Sequence, residues 1–242
     1  MTRSEGQSST SNCFIRKRGC PPFIECLFNI HLIPRCFPRI ERGKKNQTGR
    51  KSSKNESCKP GDSAFARARF ELIARPKASL DAAIELAKNA GYQIIALGAD
   101  LEGEARRVAA DHAQLALEAR AAGERVAILS GGELTVTVRG HGRGGPNQEY
   151  ALALAGLLQD TTGIAALAAD TDGADGGAGS AADPAGAIID FRTFAKMKSL
   201  GLDANAYLDD NDATAFFEQT GDLLITGPTL TNVNDIRVIL VD

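Results

Sequence analysis

The stretch that decides the fold is YQIIALGADLEGEARRVAADHAQLALEARAAGERVAILSGGELTVTV, residues 92–138. Tyr92 to Leu97 is an apolar run of strand length. Glu102 to Ala122 places Val108, Leu115 and Leu117 on one side of a long helix and meets Gly123, a residue suited to ending it. Arg125 to Leu129 (RVAIL) is again a strand. Upstream, Arg69 to Ala74 (RFELIA) alternates partly and reads as a strand that Pro76 ends. Ser79 is the expected N-cap of a helix through Ala90, with Leu80, Ile84 and Leu86 towards a core and Gly91 beyond its end. Strand, helix, strand, helix, strand is the rhythm of an α/β layer architecture. Leu134 to Val138 (LTVTV) follows RVAIL after only a short glycine turn. A crossover helix does not fit there, so part of the sheet is expected to be antiparallel or mixed.

Downstream, Gln148 to Leu158 reads as an Ala/Leu-rich helix and Ile164 to Ala169 as a buried strand. Short helices are expected around Phe191 to Leu200 and Ala213 to Gln219, and final strands at Asp222 to Thr226 and Arg237 to Val241. The expected class is therefore α/β, a mixed β-sheet with flanking helices, preceded by a disordered tail.

Charge and cysteine content make the same cut in the chain. Residues 1–63 hold 13 Lys+Arg against 5 Asp+Glu, and the remaining residues hold 15 against 25, so a basic segment precedes an acidic one. Cys13, Cys20, Cys26, Cys36 and Cys58 all fall in the first segment. Their odd number and spacing match no zinc template and follow no secretory signal, although a disulfide framework stays open. The basic run from Arg42 to Lys54 reads as a solvated tail in preference to a nucleic-acid or lipid contact. No run of eighteen apolar residues occurs, so no helical membrane span is expected.

Four polar loops interrupt the scaffold, each where a strand ends or a helix begins, the edge at which α/β proteins bind ligands. Together they read as an anionic-ligand site. The first is Ser130-Gly131-Gly132-Glu133, whose backbone N–H groups suit an anion as well as they suit a plain turn. The second runs from Gly140 to Glu149 (GHGRGGPNQE) into a helix, with Pro146 at a position suited to a helix start. There Arg143, beside a helix N-terminus, is the expected holder of a carboxylate or phosphate, and Gly144 and Asn147 flank it. The third is Asp170-Thr171-Asp172-Gly173-Ala174-Asp175-Gly176, where three carboxylates repel one another unless a cation or N–H donors compensate. It lacks the closing glutamate of a calcium-binding EF-hand, and an Asx-turn connection is the plain alternative. The fourth runs from Thr226 to Asp235 (TGPTLTNVND) and offers Thr229, Asn232 and Asn234 to hydroxyls or phosphate oxygens.

These loops in this order resemble the glycerate 2-kinases of the MOFRL type, many of which carry the name hydroxypyruvate reductase. The similarity runs from about Phe70 to Asp242 and includes LEGEA (Leu101 to Ala105), LSGGE (Leu129 to Glu133), GRGGPNQEYALALA (Gly142 to Ala155), AADTDGADG (Ala168 to Gly176), DNDA (Asp210 to Ala213) and TGPTLTNVND. One departure is Leu230, where glycine or arginine is commoner in relatives. The resemblance implies ATP-dependent, magnesium-assisted phosphorylation of D-glycerate to 2-phosphoglycerate, in a cleft between two domains. It divides the chain into residues 1–66, basic, Cys-containing and unrelated to the family; residues 67–127, the end of the family's N-terminal α/β half; and residues 128–242, a MOFRL domain. The family's N-terminal domain is longer than the sequence before Leu129 allows. The expectation is an incomplete copy behind a fused, misassigned or out-of-frame start.

By the same resemblance Arg143, Asp170 and Asp172 are the expected catalytic residues, with Arg143 on the substrate carboxylate or the transferring phosphoryl group. Asp170 or Asp172 accepts the hydroxyl proton or holds magnesium, with Asp172 the metal candidate. Ser130, Gly131, Gly132, Glu133, Gly144, Asn147, Asp175, Thr229, Asn232 and Asn234 are the expected substrate- and nucleotide-binding set, in which Glu133 and Asn147 brace loops. A cytoplasmic enzyme acting on a small molecule is expected, a homodimer being compatible, with no membrane or nucleic-acid partner. Two alternatives stay open: a hydroxypyruvate reductase, although no Rossmann fingerprint is claimed for the loop around Arg143, and a non-catalytic remnant domain.

Overall fold

The computed structural model describes residues 72, 74–177 and 180–242. The expected disordered segment 1–66, its cysteines and basic run, and most of the RFELIA strand lie outside the described residues. Fourteen elements follow from Pro76 onward: α1 (Pro76–Asn89), β1 (Gln93–Ala96), β2 (Glu102–Glu104), α2 (Ala105–Ala122), β3 (Val126–Ser130), β4 (Glu133–Thr135), α3 (Pro146–Leu158), β5 (Ile164–Asp170), β6 (Gly186–Ile189), α4 (Phe191–Leu200), α5 (Ala204–Asp209), α6 (Ala213–Thr220), β7 (Leu223–Leu224) and β8 (Asp235–Val241).

Six strands form one mixed sheet in the order β1-β3-β8-β5-β6-β7. β1 and β3 are parallel, and every later pairing is antiparallel. Strand alternation divides the core in two. Val126, Ile128, Ala166, Ala168, Ile239 and Val241 join the cluster under α2 and α3. Ala127, Leu129, Leu167, Ala169, Val238 and Leu240 point the other way, into the cluster that contains Leu80, Ala83 and Ala87 of α1. Strands apolar on both faces are what a sheet with helices on each side requires. α3 is buried almost all round, as its uninterrupted YALALAGLL predicts, and it packs against the alanine stripe Ala105, Ala109, Ala113 and Ala116 of α2. Residues before and after the expected boundary at 127/128 thus share one sheet and contribute to both apolar clusters.

Three local expectations change. α1 begins at Pro76 with Arg75 as its N-cap, not at Ser79, because proline's fixed φ suits the first helical turn. Glu102–Glu104 is a strand, and Glu104 caps α2 by accepting from the Arg107 N–H at 3.0 Å. Of the expected Leu134–Val138 strand only Leu134 and Thr135 lie in one, β4, which pairs in parallel with β2 in a separate two-stranded sheet. The large sheet is mixed because β8 returns antiparallel between β3 and β5. β6 and α5 were not expected; both are short, and α5 depends on Asp203 accepting from the Asn205 N–H at 2.9 Å. No helix among the described residues is long and apolar enough to cross a membrane.

Candidate functional site

The topology brings the four polar loops to one edge of the sheet. β3 and β5 run towards that edge and β8 starts from it, so Ser130 lies opposite Arg237 and Asp170 opposite Asp235. α3 starts at the same edge. Between them is a cleft of about 250 Å³, lined by Glu133, Leu134, Pro146, Asp170, Asp175, Gly176, Asn232, Asn234 and Asp235.

Asp175 organises one wall. Gly145, at the N-cap of α3, has no side chain to offer, and Asp175 supplies the cap from the third loop. Its carboxylate accepts from the backbone N–H groups of Asn147 at 2.9 Å and Gln148 at 2.8 Å, and from both of their side-chain amides at 3.1 Å. Burial pushes its pKa up to about 6, against the pull of those four donors. A Cβ at position 145 would sit 2.2 Å from the Asp175 carbonyl oxygen, so the cap needs glycine there.

The Asn147 amide reaches on to Asp235 Oδ1 at 2.7 Å, joining two carboxylates through one side chain. Its own Oδ1 is buried and without a hydrogen-bond partner among the described residues. Turning the amide over would set that oxygen against Asp175 and Asp235, so the orientation is fixed by charge. Asp235 is paired in turn with Arg237, whose side chain is 1% exposed, at 2.9 Å. The same guanidinium donates to Ser130 Oγ at 3.1 Å and to the Gly131 carbonyl.

Asp170 ends β5 half-buried, with burial first and the Asp172 and Asp235 charges next raising its pKa to about 6; the Asp172 N–H, donated at 2.9 Å, opposes them. Asp172 turns away to accept from the Ala174 N–H at 2.9 Å and from Asn232 Nδ2 at 3.4 Å. Thr171 Oγ1 donates to the Asn234 carbonyl at 2.7 Å, and Thr229 Oγ1 to the Thr171 carbonyl at 2.5 Å, tying the third loop to the fourth.

The backbone of the glycine-arginine loop is held by residues 210–212, just beyond α5. Asp210 and Asp212 accept from the N–H groups of His141 and Arg143 at 3.0 Å each, and Asn211 Oδ1 accepts from those of Arg139 at 2.7 Å and Gly140 at 2.9 Å. Asn211 also donates to Glu149, which Arg106 holds at 2.7 Å. A Cβ at Gly140 or Gly142 would lie 2.3 Å or 2.2 Å from Asp210 or Asp212, so these glycines serve a close backbone packing. The Arg143 guanidinium pairs with Glu218 at 2.9 Å, and its side chain is 65% exposed.

Of the expected set, the structure places Glu133, Asp170, Asp175, Asn232 and Asn234 in the cleft wall. Ser130 and Asn147 are buried beside it, Gly131, Gly132, Asp172 and Thr229 are not among its lining residues, and the Gly144 backbone packs towards Ala213 and Thr214. The structure does not bring the Arg143 side chain to this wall. Sequence reading missed Asp235 and Arg237; the available signal was an arginine inside the apolar strand DIRVILV. The anionic-ligand expectation also changes in character: no lysine or arginine lines the cleft among the described residues, and its charged groups are carboxylates.

Fold and site define an α/β domain with an acidic, oxygen-lined cleft at one sheet edge. Residues 126–235 match the MOFRL family. A provisionally named hydroxypyruvate reductase of Agrobacterium vitis is 45% identical over 193 residues, covering 77% of this chain and 42% of that protein. A D-glycerate 2-kinase of Thermotoga maritima is 37% identical over 176 residues, covering 71% of this chain and 41% of that protein. The crystal structure of a glycerate kinase from Thermotoga maritima superposes with a TM-score of 0.67 at 36% identity, over 72% of this chain and 42% of that one. The chain therefore spans less than half the length of these relatives.

Proposed function

We propose that the cleft is part of a glycerate 2-kinase site, in which ATP phosphorylates the 2-hydroxyl of D-glycerate with Mg2+. The observation that carries the reading is the acidic wall of Asp170, Asp235 and Glu133 beside the neutral oxygens of Asn232 and Asn234. Oxygen-only donors suit Mg2+, which takes one or two carboxylates and leaves its other positions to water and phosphates. No group of three or more His, Cys, Asp or Glu among the described residues is placed to hold a metal ion by itself. When bound, Mg2+ neutralises phosphate charge.

The chain's own residues then have distinct tasks. Asp170, with its pKa raised to about 6, is ionised at pH 7 yet basic enough to accept the proton of the attacking hydroxyl. Asp172 remains a candidate metal ligand, reaching the ion by swinging off the Ala174 N–H. Asn232 and Asn234 orient substrate or nucleotide oxygens, while Asp175 and Asn147 hold the start of α3. Arg143 reaches the transferring phosphoryl group after leaving Glu218, an exposed pair that holds it weakly. The Thermotoga maritima names support this reading over reduction of hydroxypyruvate. The one G-x-G-x-x-G, Gly140 to Gly145, does not directly follow a strand, and its glycines pack against Asp210, Asp212 and Asp175.

The test is product analysis with ATP, Mg2+ and D-glycerate, run beside NADH and hydroxypyruvate. Formation of 2-phosphoglycerate that requires both ATP and Mg2+ supports the reading. Oxidation of NADH by hydroxypyruvate without phosphoryl transfer overturns it. Binding of Mg-ATP without product identifies a non-catalytic domain, the outcome favoured if this cationless wall works alone.

A further inference from the structure

We propose that Arg237 is the positioning residue of this cleft, holding the Ser130–Gly131 loop and the Asp235 carboxylate in a single frame. The inference rests on reading the cleft as a ligand site, but its geometry stands apart from the identity of the ligand. Arg237 does not line the cleft. It sits in β8 opposite Ser130, buried, in a strand whose other residues beyond Asp235 are Ile, Val and Leu.

A guanidinium there is not what strand stability calls for. Taking it out of water costs more than a well-packed apolar residue of similar volume, even when an ion pair offsets part of the loss. What it provides is directional. Nε donates to Ser130 Oγ at 3.1 Å, Nη1 to Asp235 Oδ2 at 2.9 Å, and Nη2 to the Gly131 carbonyl. The first and third acceptors belong to the end of β3, and the second to the start of β8. Because Asp235 Oδ1 takes the Asn147 amide at 2.7 Å, the frame extends to the start of α3. A planar fork can meet three acceptors in fixed directions, whereas a lysine presents one compact ammonium.

The experiment compares the full chain with Arg237→Lys, which keeps the charge for Asp235 and loses the fork. Two readouts are taken: amide exchange and binding of Mg-ATP. The Gly131 N–H donates to Gly98 and the Glu133 N–H to Leu101, so both report the loop; Leu167 and Ile239 report the middle of the sheet. The expected result is about tenfold faster exchange at Gly131 and Glu133, little change at Leu167 and Ile239, and Mg-ATP affinity lowered by a similar factor. Equal acceleration at all four amides makes Arg237 a general stabiliser and overturns the proposal, as does unchanged exchange in the loop. Wild-type protein that binds no Mg-ATP, with the loop-specific change still present, sinks the kinase reading and leaves the positioning role standing. Should the lysine variant not fold, Ser130→Ala removes one acceptor and no charge. Unaltered exchange at Gly131 in that variant contradicts the proposal.

Discussion

With its carboxyl half-buried at the end of β5 and its pKa lifted to about 6, Asp170 is placed between two demands. It must be ionised to take a proton and basic enough to want one. In a full-length glycerate kinase built on this domain, Asp170→Asn is expected to lower turnover by about 10²–10⁴-fold while leaving the melting temperature close to that of the parent. The parent rate should decline as the pH falls through about 6, since protonated Asp170 cannot act as base. A rate independent of pH between 5 and 7 contradicts that role. Arg143 makes the complementary case. Its pair with Glu218 is exposed, so Arg143→Ala should change stability by less than about 0.5 kcal/mol, measured by urea unfolding, yet abolish turnover. Near-normal activity removes Arg143 from the mechanism.

At the scale of elements, the short turn between α5 and α6 acts as a clamp on the glycine-arginine loop. Asn211 links it through Oδ1 to two backbone N–H groups and through Nδ2 to Glu149 on α3. Asn211 also stands at φ 54, a conformation asparagine tolerates better than most side chains. Asn211→Ala strands those N–H groups and one oxygen of a buried carboxylate, and is expected to cost about 2–4 kcal/mol in chemical denaturation. A loss below about 1 kcal/mol shows that the clamp is dispensable. Much of this was legible in sequence as motif but not as role. GHGRGG stood out by its glycines and DNDA only within the family resemblance, and nothing in their spacing showed that one is the packing partner of the other. Local sequence does not record that a Cβ would lie 2.3 Å from Asp210 at Gly140 or 2.2 Å from Asp212 at Gly142. The ends of β3, α3, β5 and α4 were close to their observed places because apolar runs and helix-start signals are local. β2 and β4 were misread because three-residue strands carry too few side chains to show a period. Arg237 stood in view as an arginine in an apolar strand, but two of its three partners, Ser130 and Gly131, lie 107 and 106 positions away in sequence.

For the whole molecule, Asp175 couples site and stability. The folded protein holds its proton up to about pH 6, whereas the unfolded chain releases it near 3.8. Between those values the unfolded state binds fewer protons, so this group's contribution to stability falls as pH rises. The difference amounts to something on the order of 3 kcal/mol. Urea midpoints of the wild type, relative to Asp175→Asn, should therefore drop from pH 4 to pH 6.5; a constant difference shows that the carboxyl is not perturbed. Asp170 adds in the same direction and by less, because water reaches half of it. A domain that is less stable with its cleft carboxylates ionised is also one that gains when a cation neutralises them.

That linkage selects the measurement closest to the central claim: water-proton relaxation during a titration of Mn2+-ATP into the chain. The account predicts saturable enhancement in the wild type and its loss in the Asp170→Asn, Asp172→Asn double variant. Equal binding by the double variant, or ATP binding that needs no divalent ion, contradicts it.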